Sequence, residues 1–123
     1  MGLHSNRHTP GAVLARLLLA SVFVVMGAYR LWGAYGGVPT TGGTLTFSAL
    51  ELVLGLLLAS GWQLRVVASL CAVLMVADAV LSHRFWNLGG AGQAAQLLHF
   101  MKNVGLVGGL VLLAATAPHR RRR

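Results

Sequence analysis

Apolar residues in this chain do not alternate with polar ones at the period of a half-exposed strand or surface helix; they come in long, almost unbroken runs. Four runs extend over about Ala12 to Tyr35, Leu45 to Gly61, Leu64 to Ser82 and Ala94 to Ala117. A hydrocarbon core about 30 Å thick is crossed by about 20 mostly apolar residues of helix, so each run predicts one transmembrane helix. The link "ASGWQLR", Ala59 to Arg65, leaves room only for a tight turn, and the second and third helices are expected as an antiparallel hairpin. The expected fold is an all-α membrane protein, a four-transmembrane-helix bundle. Its expected organisation is a short N-terminal segment at 1–11, one helical domain at 12–117 and a basic tail at 118–123.

The segments outside the runs are short: "MGLHSNRHTP", "GGVPTTGGT", "HRFWNLGGAGQ" and "PHRRRR". None has the length of a soluble catalytic domain. A cleaved signal peptide is the competing reading of the first run. That run carries Arg16 and Arg30 and continues into "LWGAYGG" without a convincing small-residue cleavage site, so it is expected to remain as a helix. Similarity among the runs is compositional and implies no internal repeat.

Composition agrees: 56% of residues are hydrophobic and 10% charged, and the mean hydropathy is +0.72, far from a water-soluble domain of 123 residues. The net charge of +8 changes the picture through its placement. Arg7, Arg16, Arg65 and Arg120 to Arg123 all fall on one side of a four-span chain, whereas the other side has no charge between Gly33 and Phe47 and only Arg84 near the third turn. Positive residues are retained in the cytoplasm, so both termini are expected there. The terminal arginine run reads as a topology signal with contact to anionic lipid. These basic residues do not form a folded soluble face, so the bilayer, and not nucleic acid, is the expected partner.

The chain has two acidic residues, and both lie inside runs: Glu51 in "FSALELVLGLLLASGW" and Asp78 in "VLMVADAVLSH". In the expected topology each lies roughly 6 to 10 Å along its helix from the outer end. Arg30 lies near the outer end of the first helix, and Lys102 about two turns into the fourth. The expectation is one internally neutral layer, Arg30 and Lys102 opposing Glu51 and Asp78, because an unpaired charge facing lipid costs at least about 2.5 to 3.5 kcal/mol. Small residues share these faces. Arg16, Ala20, Phe23, Gly27 and Arg30 follow one helical stripe, Glu51 precedes Gly55 by four, and Gly105 and Gly109 form a G-x-x-x-G beside Lys102.

At these residues the sequence resembles the DoxX family of small prokaryotic membrane proteins. The segments that carry the resemblance are "RLLLASVFVVMGAYRLW", "LELVLGLLLASGWQLR", "SHRFW" and "QLLHFMKNVGLVGGLVLL". The family pattern falls on Arg16, on Gly27 with Arg30, on Glu51 with Gly55, and on Lys102 with Asn103, Gly108 and Gly109. Arg30 stands where a lysine is more usual, which keeps the charge and changes the donor geometry. The resemblance implies a multi-pass protein of the prokaryotic plasma membrane. Some relatives are linked to quinone-dependent sulfur oxidation or to membrane redox and oxidative-stress complexes; thiosulfate-oxidising examples have a second subunit that this chain does not contain.

A quinone headgroup needs donors for two carbonyls, a proton path and flat apolar surfaces near the interface. The expected polar cluster and ligand-binding set is Arg30, Glu51, Asp78, His83, His99, Lys102 and Asn103, with helix packing at Gly27, Gly55, Gly105, Gly108 and Gly109. Tyr29, Trp32, Phe85, Trp86 and Phe100 would flank a ring or serve as an interfacial belt. No covalent cofactor is indicated. Cys71 stands alone, so the paired thiols of a disulfide oxidase are missing. His83 and His99 have no third ligand beside them, and no metal site is expected. His4, His8 and His119 lie in the terminal segments. Two classes of function stay open: an accessory membrane subunit of a quinone-linked redox complex, working with a protein partner or as a homo-oligomer, and a noncatalytic anchor or assembly protein whose buried charges are structural.

Overall fold

The computed structural model describes residues 9–82 and 85–117. Every regular element among them is helical: α1 (Pro10–Tyr35), α2 (Gly42–Ser60), α3 (Leu64–Ser82), a short 3₁₀ turn (Phe85–Asn87) and α4 (Gly90–Thr116). All four α-helices are long and apolar enough to cross a membrane.

α1 and α2 begin earlier than their apolar runs do, because caps and not hydrophobicity set their starts. Thr9 accepts a hydrogen bond from the Ala12 amide at 3.1 Å, and Pro10 occupies the first turn, where its missing N–H leaves nothing unsatisfied. Thr41 caps α2 by accepting from the Thr44 amide at 3.0 Å, which starts that helix at Gly42 and not at Leu45. Gly61 ends α2 with φ of 79°, a left-handed geometry that favours glycine, and its amide donates to the Leu57 and Leu58 carbonyls. The 3₁₀ turn carries no apolar run of its own, so periodicity gave no sign of it.

The expected tight turn joins α2 to α3 at 61–63. The extensive interfaces lie elsewhere, however: α1 runs along α2 and α3 along α4, while α2 meets α3 over a smaller area and α1 touches α4 only sparsely. A central core of Ala20, Phe23, Leu58, Val67, Ala68, Cys71, Met75 and Leu110 ties the helices together. Outward faces are apolar as well: Leu18, Val25, Leu50, Val53, Leu56, Val73 and Leu112 are all exposed. In water such a surface would aggregate; in a bilayer it meets lipid. Hydroxyls on these faces are satisfied within their own helix. Ser21 donates to the Leu18 carbonyl at 2.6 Å, Ser69 to Arg65 at 2.7 Å and Thr116 to Leu112 at 2.8 Å.

Candidate functional site

The site begins with two glycines that let α1 and α2 touch backbone to backbone. A Cβ at Gly27 would lie 2.8 Å from both the Ser48 carbonyl oxygen and the Leu52 nitrogen, and one at Gly55 would lie 2.7 Å from the Phe23 Cβ. One turn beyond Gly27, this proximity brings Arg30 onto Glu51, with Nη1 donating to Oε1 at 2.7 Å. Glu51 is only 2% exposed, whereas the arginine side chain is 32% exposed and stands at the rim. On α2, Ser48, Glu51, Gly55 and Leu58 are all buried and follow helical spacing as one inward stripe. Because α2 starts at Gly42, Glu51 sits about 14 Å along it, near mid-helix and deeper than the run of apolar residues implied.

A second polar pair joins α3 to α4. Asn103 Nδ2 donates to Asp78 Oδ2 at 2.7 Å and approaches the Met75 carbonyl at 3.5 Å; both side chains are buried. Asn103, and not Lys102, is thus the inward residue of α4. Successive residues are turned by about 100° around a helix, so the inward position of Asn103 turns its neighbour away. Lys102 and His99 are both exposed, which corrects their expected place in a buried cluster. Among the described residues the layer therefore holds Arg30 against two carboxylates and is not internally neutral. His83 lies outside the described residues, as do His4, His8, Arg84 and the arginine tail.

Glycine placement divides in the same way. Gly27 and Gly55 are at close contacts, and a Cβ at Gly109 would meet Leu19 Cδ2 at 3.3 Å. Gly105 and Gly108 have nothing within 4 Å, so the expected packing face of α4 is open there.

Between α1, α2 and α3 lies a partly open cavity of about 280 Å³, lined by Arg30, Gly43, Thr44, Phe47, Ser48, Ala77, Asp78, Leu81 and Ser82. Only Arg30 and Asp78 of these were expected from the sequence; Phe47 and Ser48 are among the members that were not. Ser48 Oγ is fully buried and has no hydrogen-bond partner, unlike the outward-facing Ser21, Ser69 and Thr116. Its signal in the sequence is a small polar residue three positions before Glu51 on an otherwise apolar stripe. The aromatic residues proposed as ring flanks are elsewhere. Tyr29, Trp32 and Trp86 are exposed, and Phe85, Trp86 and Phe100 form an edge-to-face cluster that holds the 3₁₀ turn against α4. No group of three or more potential metal ligands occurs among the described residues.

The chain is similar to the inner membrane protein YphA of Escherichia coli (strain K12), with 26% identity over 115 residues, 86% of this chain and 82% of the relative. It is a small multi-pass inner-membrane protein. No family model matches the chain. No solved structure matches it.

Proposed function

We propose that the chain is an accessory membrane subunit of a redox complex, of DoxX type, and that the cavity beside its polar layer receives the headgroup of a quinone. The observation that carries this reading is the cavity itself, lined by a serine whose buried hydroxyl has no partner: a purely structural ion network would fill that space with side chains. A buried unsatisfied hydroxyl costs about 1 to 3 kcal/mol, so a ligand oxygen at Ser48 relieves a real penalty. When bound, a quinone supplies two-electron, two-proton acceptor chemistry. Ser48 and the rim guanidinium of Arg30 would donate to its carbonyl oxygens, and Asp78, whose Oδ2 accepts from Asn103, would hold or pass a proton at Oδ1. Phe47, Ala77 and Leu81 offer the apolar walls on which a ring packs. In the orientation set by arginine placement, both termini are cytoplasmic and the cavity opens in the outer leaflet.

The alternative is a noncatalytic anchor or assembly protein. The Arg30–Glu51 pair, one turn from the Gly27 contact, favours a structural role for that pair alone. Photocrosslinking separates the readings: the purified protein in liposomes is illuminated with a photoreactive quinone analogue, alone and with whatever subunit co-purifies. Saturable labelling of α1, α2 or α3, reduced in Ser48→Ala, is expected. Labelling that does not saturate, or that ignores Ser48→Ala and Asp78→Asn, refutes the quinone site and leaves the anchor.

A further inference from the structure

α4 is the helix least enclosed by its own chain. Only 11% of its 18-residue apolar stretch is buried, against 39% for that of the span that contains α3. An apolar face turned to lipid needs no further account, but this face carries a cation. Lys102 is exposed, about 18 Å along α4 from Gly90 and about 21 Å from Thr116, so it lies close to the middle of the helix. A cation at such a depth is disfavoured in the bilayer unless a partner offsets its charge.

The chain has no acid to spare for it. Its two acidic residues are both buried on other helices, Glu51 held by Arg30 and Asp78 by Asn103. A second copy has the same shortage and brings a second Lys102, so an interface between copies would meet cation with cation. The neighbourhood of Lys102 also suits a helix. Leu98, Lys102 and Gly105 fall on one stripe of α4, and Gly105 has nothing within 4 Å, so another backbone can approach beside the ammonium group.

We infer that the Lys102 face of α4 is an interface for a transmembrane helix of a different protein, and that this helix presents an aspartate or glutamate to Lys102. The pairing supplies the missing counter-charge inside the bilayer, where each charge alone is disfavoured and the two together are tolerated. This interface is on the outside of the bundle and does not depend on the quinone reading.

The test is photocrosslinking in membranes of the native host, with a photoreactive amino acid replacing the exposed Leu98, one turn from Lys102. The expected product is an adduct to a different membrane protein whose crosslinked segment contains an acidic residue within the bilayer. Its yield should fall at least fivefold in Lys102→Met and recover in Lys102→Arg. Lys102→Glu should abolish it, and changing the partner's acid to lysine in that background should restore it. Because Lys102 is exposed, the variants should keep the wild-type melting temperature, which is measured alongside. An adduct of twice the chain mass would identify a second copy and overturn the inference. A lipid adduct only would mean that the ammonium group reaches a headgroup, and overturns it too, as does a protein adduct indifferent to the charge at position 102.

Discussion

Arg30 donates to Glu51 across 2.7 Å, and this contact joins the last third of α1 to the midpoint of α2, one turn from the backbone contact at Gly27. Close approach and ion pair are one feature. Without a glycine at 27 the helices would stand apart, and the guanidinium would not reach a carboxylate sunk in the α2 face.

Removing the carboxylate should therefore destabilise the bundle far more than removing the amine of Lys102. Glu51→Gln leaves the guanidinium without its counter-charge, and breaking a buried pair from one side costs about 3 to 5 kcal/mol, the lower end applying here because Arg30 is at the rim. Lys102→Met should be nearly silent in the isolated chain. Thermal melting in mild detergent measures both, and equal shifts would mean that the pair does not hold α1 to α2.

Glycine substitutions should sort by contact and not by motif. Gly27→Ala and Gly55→Ala each place a methyl under 3.0 Å from a neighbouring helix, and overpacking of this kind costs about 1 to 3 kcal/mol. Gly108→Ala enters open space in a helix interior and should be neutral or stabilising by up to about 1 kcal/mol. The order of melting temperatures decides; a Gly108 variant as unstable as Gly27→Ala would contradict the α4 placement.

Asn103→Leu should loosen α3 from α4. It removes the amide that satisfies Asp78, and an unsatisfied buried acceptor costs about 1 to 3 kcal/mol, more if charged. Coupling can be read from a double-mutant cycle with Asp78→Asn. If the two effects simply add, the hydrogen bond contributes no stability.

Orientation is testable with single cysteines in a Cys71→Ala background. The loop at 36–41 and the turn at 61–63 lie at opposite ends of α2. An impermeant thiol reagent applied to intact cells should label Thr40→Cys and spare Trp62→Cys until the membrane is permeabilised. The reverse pattern would put the cavity in the inner leaflet.

The runs of apolar residues alone determined that four helices cross a membrane, because a span is a statement about length and composition that needs no neighbour. The stripes of Arg16 to Arg30 and of Glu51 with Gly55 were legible for the same reason: helical spacing fixes which residues share a face. Which face turns inward was not legible on α4. Lys102 and Asn103 are adjacent, charge made the lysine the more conspicuous candidate, and only packing against α3 shows that Asn103 reaches Asp78 while Lys102 is left outside. Ser48 was hidden likewise, since a serine among leucines looks the same whether its hydroxyl bonds its own helix, as Ser21 does, or is buried without a partner. Sequence periodicity assigns residues to faces; the rotation of each helix about its axis is set by contacts between helices, and that rotation decides which polar atoms meet.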